Sequence, residues 1–531
     1  MKRGMVAIAL LLTGGLVSAC SGGSTGSDDK AAETAGFRAE GLPIVEQPLT
    51  LKFSGVKAPL APDFNSMTLV KQWQRDTNVT IEWQNLPETV YKEKKNLLLA
   101  SGDLPDAFYN TGFTDSDIAT YGANGTLVPL ENLIDKYAPN LKKVFEKRPE
   151  IKAAVTASDG HIYTLPASEE LGIGTVPFFW SLNKTWLAKL GLSMPTTIDE
   201  YHRVLQAFKT GDPNGNGKAD EIPLSFIGGW WCADAGDLFA ALSGMPDNPD
   251  HRIVRDDKVI HTASQPQYRD AIATLHQWYT EGLIDAESFT QTDTQYLAKG
   301  KSKDEVLGSF VWWETEEVVG AARTRDYTLM GPLEGPSGRL VGRANGGDYA
   351  RDAFAITRVN KHPEATMRWV DRLYDPVMSA QVAWGPIGEG LQKNSAGVLV
   401  SMPDKAGESA GERKQRIAPG GPRVILKEDF KNVVAPEPRA AQRQSDLERI
   451  YLPYAEKQSY PLVFFTQEEL QRIGEINTEL KALVDERRAG WIVRGGVEKD
   501  WDGYLQQLKG AGLDEYVDIY QKAYDRYRGT K

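Results

Sequence analysis

The chain has 531 residues, 41% of them hydrophobic and 25% charged, with a formal net charge of −11. That length supports two or three domain-sized cores, and the composition is that of a folded protein. The acidic balance excludes nucleic acid as a partner, because such binding rests on Lys and Arg neutralising phosphate.

In chain order, Lys2 and Arg3 precede an apolar run, Met5 to Leu16, which closes on Val17-Ser18-Ala19-Cys20. Basic, apolar and small-residue segments in that order describe a secretory signal. The small residues before Cys20 resemble a bacterial lipobox, in which that cysteine becomes the acylated N-terminus. Cleavage after residue 19 removes two cations and leaves a mature charge near −13. The run is too short for a spanning helix, which needs about 20 residues. Residues 20–45 read as a flexible, small-residue tether. The one remaining cysteine, Cys232, has no partner for a disulfide and reads as a buried small hydrophobe.

Thr50–Val56 and Thr80–Trp83 read as strands, separated by a helix over Asn65–Asp76. A helix over Tyr91–Ala100 follows, then a short strand, Asp106–Tyr109. Strand–helix alternation of this kind points to parallel-sheet units. From Pro195 the helical periods lengthen: Thr197–Lys209, Gln267–Glu281, Pro363–Tyr374, Gln467–Ala489 and Trp501–Tyr527. Gly308–Val311 reads as a further strand.

Asp212-Pro213-Asn214-Gly215-Asn216-Gly217-Lys218-Ala219-Asp220-Glu221 is the sharpest local motif. Side-chain oxygens stand at positions 1, 3, 5 and 9 of a calcium-type loop, a glycine at position 6, and Lys218 supplies a carbonyl at position 7. Position 12 is Pro223, so Glu221 has to replace the usual bidentate glutamate. The other reading is an Asn/Gly/Asp-rich surface turn.

Enzyme signatures are absent: no His-Glu-x-x-His, no Cys-x-x-Cys, no Gly-x-Gly-x-x-Gly. The single Gly-x-Ser-x-Gly lies in the tether, at Gly22–Gly26, with no strand or helix to raise a nucleophile. Thirteen Trp and twenty Tyr are the unusual feature. Trp230-Trp231 and Trp312-Trp313-Glu314 read either as core or as stacking platforms for sugar rings. Strand alternation sets one of Trp312 and Trp313 toward a ligand and the other inward, with Glu314 on the Trp312 face.

Ala100-Ser101-Gly102-Asp103-Leu104-Pro105-Asp106, Leu127-Val128-Pro129-Leu130, Tyr137-Ala138-Pro139-Asn140 and Asp159-Gly160-His161-Ile162-Tyr163-Thr164-Leu165-Pro166 together resemble phrases of the carbohydrate-binding lipoproteins of ABC importers. Asn183-Lys184, Leu190-Gly191-Leu192, Trp501-Asp502-Gly503-Tyr504 and Tyr524-Asp525-Arg526-Tyr527 continue the pattern, which is similar to the LplA-type and alginate-oligosaccharide-binding branch. The resemblance implies an α/β, two-lobed periplasmic-binding-protein-like fold with crossover hinges and a ligand cleft between the lobes. It implies a structural calcium held by Asp212, Asn214, Asn216, Lys218, Asp220 and Glu221. It departs at Gly385-Pro386-Ile387-Gly388-Glu389-Gly390-Leu391, where relatives carry a Gly-Ile-Glu-Gly-Lys-like phrase.

The expected lobes are 46–165 with about 325–400, and 166–324 with about 401–531. The expected protein is a monomeric, lipid-anchored extracellular or periplasmic receptor that performs no chemistry and passes a carbohydrate to ABC permease subunits. Expected ligand contacts are Tyr109, Asn110, Trp180, Trp230, Trp231, Trp312, Trp313, Glu314 and Trp384. The rival readings are a surface glycoside hydrolase or lyase, and a sugar sensor or adhesin without a transporter.

Overall fold

The structure, a computed structural model, describes residues 36–58, 60–172, 174–403 and 410–530. The expected signal and Cys20 lie outside the described residues.

Leu49–Lys57 alternates buried and exposed positions at its start, setting Leu51 and Phe53 inward. The chain returns through the helix Thr68–Thr77, which buries Leu69, Val70 and Trp73 and stops at left-handed Asn78. Val79–Pro87 then pairs parallel with Leu49–Lys57, Leu49 opposite Val79. A second helix, Glu88–Ser101, ends on Gly102 at φ 76° and leads to Ala107–Tyr109, also parallel to the first strand. The complete sheet has six strands in the order Arg423–Ile425, Leu165–Glu169, Tyr349–Ile356, Ala107–Tyr109, Leu49–Lys57, Val79–Pro87. Five run in one direction and Tyr349–Ile356 runs against them, so the exits at Lys57, Pro87, Tyr109, Glu169 and Ile425 share one edge.

A second sheet of four strands has the order Tyr327–Met330, Phe179–Asn183, Leu307–Trp312, Ile222–Ser225. Its exits at Ser225, Trp312 and Met330 lie at one edge, where Phe179 enters. Each sheet has its own core. Phe53, Trp73, Trp83, Tyr109, Phe354 and Trp369 fill the first. Phe178, Trp186, Tyr201, Phe208, Trp278 and Val311 fill the second, closed by Leu480, Val484, Trp491 and Tyr504 from the C-terminal helices. The mixed α/β, two-core architecture therefore matches the expected class.

Two sequence expectations need correction. Trp501–Tyr527 is not one helix: Val497–Gly510 and Leu513–Thr530 are separated by Gly512, whose φ of 97° no helix interior accommodates. The segment boundaries near 325 and 400 also move. Tyr327–Met330 pairs in the second sheet, and Arg423–Ile425 pairs in the first. Three segments, 170–178, 331–348 and 426–466, connect the sheets. Asp348 fastens the first two together, accepting from the backbone N–H of Gly172 at 2.9 Å and of Gly174 at 2.8 Å.

Candidate functional site

The strand Leu307–Trp312 is buried along its whole length. Trp312 packs inward, stacked on Tyr296 at 5.4 Å between centroids, with its indole N–H donating to Glu317 at 3.1 Å. The strand stops there, so alternation does not extend to Glu314. Instead Trp313 and Glu314 line the same cavity of about 400 Å³, together with Phe179, Arg439 and Arg443. Arg439 and Arg443 come from the helix Pro438–Asp446 and clamp the Glu314 carboxylate. Arg439 Nε donates at 2.7 Å and Arg443 Nη1 at 3.0 Å. The Arg443 guanidinium also lies 4.6 Å from the Trp313 ring centroid. Burial holds Arg443 below the usual arginine range, opposed by Glu314 and Glu437.

The edge of the first sheet carries a second charged cluster. Glu169 leaves its strand between Arg423, whose Nε donates to it at 2.8 Å, and Lys414 at 3.9 Å. Burial would raise the Glu169 carboxyl; the charges of Arg423 and Lys414 outweigh it and hold the group below the usual carboxylate range. Trp384, packed on Phe430 at 6.0 Å, adjoins Glu169 and helps hold its carboxyl down. Lys414 keeps 46% of its side chain accessible, yet burial holds its ammonium below the usual lysine range. Glu437 links the two clusters: its charge acts on Lys414 on one side and on Arg439 and Arg443 on the other.

The expected ligand contacts divide. Trp313 and Glu314 line the cavity and Trp384 adjoins Glu169. Asn110, left-handed at φ 51°, approaches Gly420, and a Cβ there would sit 3.7 Å from its amide nitrogen. Trp230 and Trp231 are exposed, at 37% and 52%, on the loop beside buried Cys232. Tyr109, Trp180 and Trp312 are corrected to core. Tyr109 is fully buried among Phe64, Trp83, Phe354 and Trp369, and its hydroxyl donates to the Gly420 carbonyl. Trp180 alternates inward against Tyr201, which leaves its neighbour Phe179 at the cavity. The charged groups Glu169, Lys414, Arg423, Glu437, Arg439 and Arg443 have no local signal in the sequence.

The Asp212–Glu221 loop curls on itself. Asp212 accepts from the backbone N–H of Asn216 and of Gly217, each at 3.1 Å. Asn214 and Asn216 donate their amides to Asp220 at 3.0–3.1 Å. Burial raises the Glu221 carboxyl, and the charges of Asp220 and Asp212 add to it. Glu221 Oε1 is buried without a hydrogen-bond partner. Among the described residues no three His, Cys, Asp or Glu form a cluster that could hold a metal by themselves. Here asparagine oxygens interleave with three carboxylates. A hard divalent cation fits that donor set, and it would satisfy the orphan oxygen.

Known proteins resemble this chain along nearly its whole length. The fructooligosaccharide ABC transporter substrate-binding protein FusA of Streptococcus pneumoniae is 40% identical over 539 aligned positions, covering 98% of each chain. The structure of FusA in complex with kestose superposes with a TM-score of 0.78 at 40% identity, over 91% of this chain and 100% of that one. The structure of a FusA EF-hand mutant in complex with fructo-nystose matches with the same score, identity and coverage. The profile of the bacterial extracellular solute-binding proteins matches residues 60–378. With that profile over more than half its length and a relative aligned almost end to end, the chain belongs to the bacterial extracellular solute-binding protein family.

Proposed function

We propose that this protein is the capturing subunit of an ABC importer for neutral oligosaccharides, with short fructooligosaccharides of the kestose and nystose type as its first candidate ligands. The cavity at Trp313 and Glu314 carries the reading. Trp313 offers a ring face to the flat C–H faces of sugars, in a cavity that Phe179 also lines while stacked on Tyr451, and Trp384 is a further candidate beside Glu169. Glu314, Glu169 and Glu437 accept from hydroxyls, and Arg439, Arg443 and Arg423 donate to them as charge-assisted partners. Each of those arginines, and Lys414, is paired or neighboured by a carboxylate, so the cleft carries little net charge and suits an uncharged ligand. A sugar that touches both lobes binds the closed arrangement better than the open one and shifts the equilibrium toward it. The closed form is what a permease would recognise.

In the same reading Asp212, Asn214, Asn216, Asp220 and Glu221 hold calcium by side-chain oxygens and Lys218 by its carbonyl. The ion's part is to fix the loop, away from the sugar. Cys20 carries the lipid that keeps the protein at the outer face of the membrane. Among the described residues no helix is long and apolar enough to cross it.

Calorimetry with kestose and nystose tests the central claim. Saturable binding with both sugars recovered intact by chromatography is expected. Absence of binding, or release of free fructose, overturns it in favour of another ligand or of the hydrolase reading. Chelation with EDTA should lower the melting temperature, since a ligand at about 100 times its Kd adds about 2.7 kcal/mol to the folded state. An intact mass equal to the unmodified mature chain would remove the anchor.

A further inference from the structure

A second cavity, of about 560 Å³, lies at the hinge and shares no lining residue with the one at Glu314. The helix Pro149–Val155 and Tyr349 bring the first lobe to it. The turn at Asp257 and the helix Leu513–Thr530 bring the second, through Tyr524 and Tyr527. Residues 343–347 and 457–462 of two connecting segments complete the wall.

The charge state of this cavity differs from that of the cleft. Asp257 is engaged: the Gln458 amide donates to it at 2.7 Å, the Tyr524 hydroxyl at 3.3 Å, and Arg528 pairs with it at 3.0 Å. Glu150 stands beside Tyr349 and Tyr527. Asp348, whose charge acts on Arg343, spends its two oxygens on the backbone N–H of Gly172 and Gly174. Arg343 itself makes no ion pair among the described residues, and its Nε is buried without an acceptor. Burial pushes its guanidinium below the usual arginine range. Lys457, exposed at the cavity, also makes no ion pair among the described residues. A desolvated guanidinium beside an empty volume, with a second uncommitted cation at the rim, is a costly arrangement unless an anion completes it.

We propose that the hinge cavity is a second binding site, for a small organic anion bearing carboxylate or phosphate groups, held by Arg343 and Lys457. Its walls belong to both lobes and to the segments that any closure must bend. An anion that fits one lobe arrangement better than the other therefore biases closure, and by linkage it changes the sugar affinity of the cleft.

The test is calorimetric, on the mature chain. Citrate and inorganic phosphate are titrated separately at low millimolar concentration, against sodium chloride of matched ionic strength. A saturable heat is expected for at least one of them, and which one responds separates the carboxylate from the phosphate source. Arg343→Met should weaken it about tenfold or more, as befits loss of a charge-assisted partner. Arg443→Met, which removes a cleft cation instead, should leave it intact. If Arg343→Met does not fold, Lys457→Met serves, with a smaller weakening expected. No heat beyond the chloride control overturns the site. Weakening by Arg443→Met but not by the hinge variants places the anion in the cleft and overturns it too. A kestose affinity unchanged in saturating citrate or phosphate overturns the coupling, whereas failure of kestose to bind at all bears only on the sugar assignment.

Discussion

Two strands end on aromatic residues, Leu307–Trp312 in the second sheet and Ala107–Tyr109 in the first, and among the described residues only the former leads into a cavity at its exit. At the second sheet, Leu307–Trp312 ends and the next two residues, Trp313 and Glu314, open into a cavity ringed by arginines. At the first sheet, Ala107–Tyr109 ends under the turn that contains Gly420 and Gly421. That turn lies so close to the Tyr109 ring that a side chain at Gly421 would collide with it. An exit aromatic is thus wall or core according to what a distant segment lays over it. The strand alone does not decide. The first lobe contributes charge, at Glu169 and Arg423, and the second a half-buried indole and its clamped glutamate.

Truncating each exit should break different properties. Tyr109→Ala empties a fully buried ring site and should cost about 3–5 kcal/mol of stability. Denaturant unfolding reads it directly. If Tyr109→Ala instead leaves stability intact and abolishes kestose binding, the first exit is a ligand wall and the contrast collapses.

Trp313→Ala should do the reverse. Its ring is half-buried against Arg443, with the rest of it turned to the cavity. Loss of a stacking partner should cost on the order of 2 kcal/mol of sugar affinity, more than tenfold, with little change in melting temperature. Trp312→Ala, in the core against Tyr296, should lose stability. Equal kestose affinity in Trp313→Ala and wild type, by calorimetry, would remove the indole from the site.

Features carried by contiguous residues were legible in the sequence. The Asp212–Glu221 loop stands within ten residues, and its curl follows from glycines and asparagines that favour turns. The parallel units and the helix Thr68–Thr77 follow from local period, and so does the packing of one of the two tryptophans at 312 and 313. What period and motif could not carry was pairing across the chain. Arg423 meets Glu169 across 254 positions, and Arg443 meets Glu314 across 129. No periodicity marks an arginine as a cleft residue. The same limit hid the cover over Tyr109, which comes from 311 residues away. It also hid the sheet assignment of Tyr327–Met330, because a strand's own residues do not say which sheet it joins.

A gentler variant sharpens the contrast. Tyr109→Phe keeps the ring and removes the hydroxyl that donates to Gly420. Loss of one buried hydrogen bond should cost about 1 kcal/mol of stability. Because the turn runs on to Arg423, whose Nη1 donates to the Gly421 carbonyl at 2.8 Å, kestose affinity should fall as well, by a few-fold at most. A variant with wild-type affinity would show that the turn is held without the latch.

The smallest effect expected is that of pH on the first lobe's wall. Burial raises the Glu169 carboxyl, but Arg423 and Lys414 outweigh it, so the folded protein holds the group below its ordinary value of 4.5. A depressed carboxyl binds fewer protons in the folded chain than in the unfolded one. Its contribution is therefore fully present above pH 4.5 and is lost as the pH falls through the lower, folded value. Across pH 5 to 8 the Glu169–Arg423 pair stays ionised, and kestose affinity should change by no more than about twofold on its account. Below that window protonation frees Arg423 and Lys414, leaving two like charges at one wall, and affinity should fall. Glu169→Gln should bind more weakly at neutral pH and lose the acid limb of the profile. A profile from Glu169→Gln with the wild-type acid limb would assign that limb to another group.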